Sequence, residues 1–106
     1  MSLVEDVNRL CQDLNHAVKE IEKFGRLKSE AEHDYRIAVE QETLKERDEG
    51  TPVTLIEKIV NGKTAKARLK RDINEAYYKT SFEKVQAIKK QIDTYNLQIQ
   101  KELDYE

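Results

Sequence analysis

Apolar residues recur along the first half of the chain at alternating steps of four and three, the spacing of a helix that buries one stripe against a neighbour. Ten of the thirteen positions on this line are apolar, which predicts one long helix over residues 3–47. In chain order, the thirteen positions are Leu3, Val7, Leu10, Leu14, Ala17, Ile21, Phe24, Lys28, Ala31, Tyr35, Ala38, Glu42 and Lys45.

A second apolar line in the second half of the chain predicts a helix over residues 64–103, with Thr64 as its N-cap. From Leu69 to Val85 every step is four residues long, which interrupts the alternation. Such an interruption is a stutter, and it unwinds a supercoil locally. The line consists of Leu69, Ile73, Tyr77, Ser81, Val85, Ile88, Ile92, Tyr95 and Ile99, with Leu103 beyond.

Between the two lines lie the only proline and two of the three glycines of the chain. Thr54 stands three residues before Glu57, which is the spacing of a capping box. Asn61 and Gly62 follow a short apolar face and provide the left-handed residue that ends many helices. These signals predict a short corner helix over residues 54–60.

The predicted fold is all-α: a long antiparallel two-helix coiled-coil hairpin with a short corner helix, which associates further into a helical bundle. It forms one domain over residues 1–106. In this hairpin Tyr35 faces Ala76 and Tyr77, so that the large side chains of the second helix fill the space beside the small ones of the first.

The charge of the two halves supports this pairing. Residues 1–50 carry 8 Lys or Arg and 13 Asp or Glu, a net charge of −5, whereas residues 51–106 carry 11 and 8, a net charge of +3. Opposite charges on the flanks select a partner, although each exposed pair adds only about 0.2–1 kcal/mol. The pairing places Phe24 against Ala87 and Ile88.

We call the line of apolar positions along each long helix its seam. Near the chain ends, a second apolar stripe lies beside the seam. Val4, Cys11 and Val18 each follow a seam residue, and Leu97 adds apolar surface on the second helix. One two-helix contact cannot cover both stripes, so a second copy of the chain is expected to cover the outer one. These four residues are the candidate self-association site of a homodimer.

Composition narrows the function classes. The apolar and charged fractions are both 38%, which suits a coiled coil better than a compact α/β domain. A single cysteine forms neither an internal disulfide nor a zinc site. Since the sequence contains no apolar run of transmembrane length and no signal-peptide pattern, we expect a cytoplasmic protein without membrane association.

The sequence offers little catalytic or metal-binding chemistry. Glu30 and His33 have the Glu-x-x-His spacing of di-iron helical bundles, but the seam places both on the outward side of the helix. No phosphate-binding loop and no combination of nucleophile, base and orienting group stands out. We therefore expect no enzyme activity, no cofactor and no metal.

A basic stretch over residues 58–90 supports an alternative function. It holds 10 Lys or Arg and 3 Asp or Glu, with aromatic residues interleaved, as in proteins that bind nucleic acid. The same positive charge also complements the acidic first helix, which is the simpler interpretation. The candidate nucleic-acid residues are Lys63, Lys66, Arg68, Lys70 and Arg71.

The long acidic helix, the Gly-Thr-Pro-Val-Thr-Leu corner at residues 50–55 and the Tyr-Tyr-Lys segment at residues 77–79 resemble short helical proteins of temperate phages and prophages of Gram-positive bacteria. The resemblance implies a phage-encoded protein in the bacterial cytoplasm and assigns no site residues. The sequence thus favours a non-enzymatic helical module for self-association or assembly, which can also bind a protein partner, with nucleic-acid binding as the alternative.

Overall fold

Three α-helices make up the computed structural model, which describes residues 2–105. They are α1 (Leu3–Asp48), α2 (Val53–Lys63) and α3 (Ala65–Tyr105). Helices account for 94% of the described residues, and no strand occurs among them. The predicted all-α class is confirmed.

Burial along α1 follows the predicted seam. Leu10, Ala17 and Ala31 are buried, and among the thirteen seam positions only Lys45 is exposed. The seam shifts by one residue at its end, where Glu46 is buried at 4% exposure in place of Lys45. An apolar stripe with alternating steps therefore located the packed side of this helix correctly.

The predicted seam of α3 is wrong in its first part. Leu69, Ile73 and Tyr77 are 59%, 43% and 54% exposed. The covered line keeps the alternation of three and four throughout, so α3 has no stutter; it uses polar residues where the prediction required apolar ones. This line consists of Arg71, Asn74, Tyr78, Ser81, Val85, Ile88, Ile92, Tyr95 and Ile99.

The corner helix is longer than predicted and lacks the capping box. Its N-cap is Pro52, and no side chain caps the helix start. Thr54 already lies inside the helix, since Pro52 fixes a backbone angle that suits the residue before a first turn. At the other end, Gly62 is helical, and Gly50 is the glycine with positive φ in residues 2–105.

Thr64 alone separates α2 from α3. It is 2% exposed, and its Oγ1 donates to the carbonyl of Val60 in α2 at 2.7 Å. Its own carbonyl accepts from the amide of Arg68 at 3.0 Å and so opens α3. The side chain therefore does not cap α3 as predicted; it closes the last turn of α2 instead.

The described chain divides into two units by its internal contacts: a terminal unit, residues 2–23 and 78–105, and a corner unit, residues 24–77. The core of the terminal unit is apolar. It consists of Leu10, Ala17, Val85 and Ile88, with Leu14, Ile21, Ile92 and Tyr95 packed against them.

The corner unit packs through aromatic rings as well as aliphatic groups. The rings of Phe24 and Tyr77 lie 5.5 Å apart, and the guanidinium of Arg71 lies 4.4 Å above the ring of Tyr35. These contacts correct the predicted register, in which Phe24 met Ile88 and Tyr35 met Tyr77. The error arose because the prediction set the ends of the two long helices directly opposite each other at the corner, whereas both contacts use a residue that comes earlier in α3.

Candidate functional site

The end of α1 is a glycine-dependent turn. Gly50 has φ 76°, and its amide donates to the carbonyl of Arg47 while the next amide, of Thr51, donates to the carbonyl of Glu46, both at 3.1 Å. This pair of bonds is the Schellman arrangement, which requires a left-handed residue. It brings the side chain of Thr51 back over the last turn of α1.

A buried carboxylate links the three segments of the corner. Glu46 accepts hydrogen bonds from Thr51 Oγ1 and from Lys63 Nζ, each at 2.6 Å. Lys63 Nζ also lies 3.7 Å from Oε2 of Glu42. A buried charge is tolerated when it is paired and hydrogen-bonded, so this cluster holds the end of α2 against the end of α1.

Charge pairing shifts the ionisation of both partners. The hydrogen bonds from Lys63 and then Thr51 lower the pKa of Glu46 below its ordinary value. The hydrogen bond to Glu46 raises the pKa of Lys63 above its ordinary value. Both groups are therefore charged at neutral pH, and neither has the pKa near neutrality that suits a general acid or base.

The Glu-x-x-His pair lies on the exposed side of α1. Glu30 Oε1 lies 3.5 Å from Arg26 Nη1, and His33 is exposed. In residues 2–105 no group of three or more His, Cys, Asp or Glu side chains is arranged to hold a metal ion. The absence of a specific metal stays a prediction.

Three of the five candidate nucleic-acid residues make contacts within the corner unit. Lys63 binds Glu46, and Arg68 donates to the carbonyl of Asn61 at 3.2 Å. The guanidinium of Arg71 lies over Tyr35 and lies 2.9 Å from Asp72, whose hydrogen bond raises the pKa of Arg71. The other two candidates, Lys66 and Lys70, are exposed. Two lysines give a much smaller electrostatic footprint than the predicted five.

The four predicted self-association residues are all exposed. Val4, Val18 and Leu97 are 57%, 41% and 60% exposed, and Cys11 is an exposed free thiol. We call Val4, Cys11 and Val18 the terminal stripe, since they lie seven residues apart on one side of α1. Each follows a residue that packs inward, so the stripe borders the covered seam.

Sequence reasoning missed Phe82 as part of the exposed surface. Its side chain is 49% exposed, and it follows the buried Ser81 as Val18 follows the buried Ala17. The signal was present in the predicted line, which already passes through Ser81 and Ile88, seven residues apart, so that Phe82 directly follows a seam residue. Phe82 belongs to the terminal unit, as does the terminal stripe.

An apolar stripe on α3 is the second exposed surface that the prediction missed. Leu69, Ile73 and Tyr77 are spaced four residues apart, with Lys66 and Lys70 on the same side of the helix. Their apolar character suggested a seam. The alternation counted backwards from Ile99, which leads to the polar Arg71 and Asn74, would have found the covered side instead.

An open groove of about 640 Å³ lies between α1 and α2. Its walls carry Val39 from α1, and Ile56 and Val60 from α2. The last two residues are buried, so α2 rests on this side of α1. The charged residues of its lining, Arg47 and Glu57, are both exposed, so neither is held in place to orient a small ligand. The groove serves here to locate α2.

No protein-family model matches the chain, and no similar protein was found among curated sequences or solved structures. None of the helices in residues 2–105 has the length and apolar character needed to cross a membrane.

Proposed function

We propose that this protein is a non-enzymatic helical interaction and assembly module that self-associates through the terminal stripe. The observation that supports this is the exposure of three apolar or thiol side chains, Val4, Cys11 and Val18, in one line beside an already packed core. A contiguous exposed apolar line beside a packed core is typical of a surface that another chain covers. A second copy that covers the line removes its apolar area from water, at about 25 cal/mol per Å².

In the proposed form, α1 and α3 of each copy make an antiparallel coiled coil, and two copies join at the terminal unit as a local four-helix bundle. A two-fold axis is the simplest arrangement, because the same stripe then serves both copies. Phe82, which directly follows the buried Ser81, extends the apolar surface on α3. Leu97 is also exposed, but it lies about 160° around α3 from the seam residues Tyr95 and Ile99. The resemblance to phage proteins supports a role in a bacterial cytoplasm, where a bound protein partner is the natural target of such a module.

The test uses sedimentation velocity together with the reactivity of Cys11, the only cysteine of the chain. We expect wild-type protein to associate at micromolar concentration and Cys11 to become protected from a maleimide as it does so. In Val4→Glu/Val18→Glu, the assembly should be smaller and Cys11 should react at the same rate at every concentration. Val53→Glu/Leu55→Glu is the matched control, since Val53 and Leu55 are 84% and 48% exposed and lie in the corner unit.

Two results would contradict the proposal: wild-type protein that stays monomeric, or a Val4→Glu/Val18→Glu variant whose mass and Cys11 protection equal those of the wild type. Circular dichroism of each variant checks that the helices are intact. A mobility-shift series with DNA and RNA belongs to the same experiment, because salt-sensitive binding that is lost in Lys66→Glu/Lys70→Glu would favour the nucleic-acid alternative.

A further inference from the structure

The corner unit has one side that α2 does not cover. On α1, Val39 faces the α2 groove, whereas Glu30, Asp34 and Ile37 lie on the opposite side of the helix at about 100° per residue. All three are exposed. This part of α1 therefore presents an acidic and apolar stripe away from α2.

The exposed stripe of α3 lies on the same side of the unit. Arg68 donates a hydrogen bond to the carbonyl of Asn61 in α2. The side of α3 that carries Arg68 is therefore the side nearer to α2. Residues 66, 69, 70, 73 and 77 share the other side, at the spacing of one helical face. We call the two stripes together the corner face; it consists of Glu30, Asp34, Ile37, Lys66, Leu69, Lys70, Ile73 and Tyr77.

The two halves of the corner face have opposite charge. The α1 half carries Glu30 and Asp34, and the α3 half carries Lys66 and Lys70. Among the described residues, the side chains of Asp34, Lys66 and Lys70 form no ion pair, and Glu30 has only the exposed Arg26 at 3.5 Å. Between the charges stand large apolar side chains, an arrangement typical of a surface that a second helix pair covers.

We propose that the corner face is a second self-association surface, on which the acidic α1 stripe of one copy packs against the basic α3 stripe of another and the reverse. This inference rests on the proposed function and extends it, because a chain with two self-complementary surfaces assembles beyond a dimer. A second copy fits better than an acidic or a basic partner, since it alone matches both halves at once.

The contacts within the unit fix which residues meet. Arg71 stacks on Tyr35, so Asp34 and Lys70 lie at the same level along the helices. A two-fold axis parallel to the helices keeps that level and places Asp34 of one copy opposite Lys70 of the other. An axis across the helices would set α1 on α1 and α3 on α3, and like charges would repel.

The test works in the Val4→Glu/Val18→Glu background, where the terminal stripe no longer contributes. One variant is Lys66→Glu/Lys70→Glu, which makes both halves acidic, and the other is Glu30→Lys/Asp34→Lys, which makes both basic. Each alone should associate about tenfold more weakly than the background or worse. Their equimolar mixture should recover association as a one-to-one pair, measured by sedimentation equilibrium.

Recovery in the mixture excludes misfolding as the cause of the loss, because unfolded chains would not complement each other. Lys58→Glu/Lys79→Glu is the matched control: it makes the same change in net charge at exposed lysines outside the corner face. It should leave association unchanged. Raising the salt to about 0.5 M should weaken the background protein, since exposed charges are then screened within a few Å.

A background protein that is monomeric at low salt, charge variants that associate like the background, or a mixture that does not recover would each overturn the inference. The proposal for the terminal stripe has a separate readout: it fails if Cys11 is protected from the maleimide in Val4→Glu/Val18→Glu as it is in the wild type. Oligonucleotide binding that is lost in Lys66→Glu/Lys70→Glu, with association unaffected, would assign the lysines to nucleic acid and would also overturn it.

Discussion

In the terminal unit and the corner unit, covered residues recur along the helices at the same spacing, but different types of residue occupy the covered positions. The terminal unit packs mainly aliphatic residues around Ala17, which is fully buried, with Tyr95 against them and the buried Ser81 in the same unit. The corner unit packs the small Ala31 on α1, two aromatic contacts, and the carboxylate of Glu46 with its two donors. The heptad spacing predicts which side of a helix is packed. The type of residue at those positions determines whether the packing contact is aliphatic, aromatic or charged.

Because of this difference, the stability of the two units should respond differently to pH and salt. Burial of aliphatic groups depends little on pH or salt, so the terminal unit should be insensitive to both. The corner unit depends on charged groups whose pKa values are shifted, and it should respond to pH.

Ile88→Ala should lower the free energy of unfolding by about 2–5 kcal/mol, the usual cost of a large-to-small change at a buried site. Ile88 is 8% exposed and belongs to the core of the terminal unit. Val53→Ala, at an 84% exposed site of the corner unit, should change it by less than about 0.5 kcal/mol. Urea unfolding followed by circular dichroism measures both. Similar losses for the two variants would mean that Ile88 is not packed in the core of the terminal unit.

Glu46→Gln should destabilise the protein at neutral pH and flatten its response to acid. The pKa of Glu46 is lower in the folded protein than its ordinary value of 4.5, so its stabilising effect is present above that value and is lost as the pH falls through the folded pKa. Unfolding of wild type and variant, measured from neutral pH downwards, should therefore converge in acid.

Lys63→Met should act at the other end of the pH range. The pKa of Lys63 is higher in the folded protein than its ordinary value of 10.5, so its contribution is complete below that value and is lost as the pH rises through the folded pKa. Glu22→Gln, at an exposed site of the terminal unit, is the control for Glu46→Gln. If this control flattened the acid response as much as Glu46→Gln, the pH sensitivity would not belong to the corner.

The two glycines of the corner should respond in opposite directions. Gly50→Ala should destabilise by about 1–2 kcal/mol, because φ 76° is strained for any residue with a Cβ. Gly62→Ala should stabilise by up to about 1 kcal/mol, because Gly62 is helical with open space around it. Thermal unfolding measures both. Destabilisation by Gly62→Ala would support the left-handed helix end that the sequence predicted there.

Much of the helical structure was predictable, because the periodic spacing of apolar residues can be recognised in a single sequence. The three helices and the packed side of α1 follow from the spacing of residues such as Leu10, Ala17 and Ala31. The packed side of early α3 did not follow, because apolar Leu69 and Ile73 lie outside while Arg71 and Asn74 lie inside. Polar residues on a seam carry no hydrophobic signal, and only the period itself reveals them.

The corner network was not predictable for a related reason. Glu46, Thr51 and Lys63 come from three segments, and their meeting depends on the Schellman turn at Gly50. The sequence showed a glycine at the corner but not the backbone angle it adopts. The candidate self-association residues were found on the surface as expected, whereas the corner face appeared only after the covered line of α3 was known.

The single-residue joint at Thr64 has a consequence for how the chain can vary in length. An added residue there would turn the part of α3 in the corner unit by about 100° relative to α2 and carry Arg71 and Asn74 away from α1. An added residue between Asp48 and Val53 would only lengthen a loop, at little entropic cost. In related sequences, insertions and deletions should therefore gather before α2, while the number of residues from Pro52 to Asn74 stays constant.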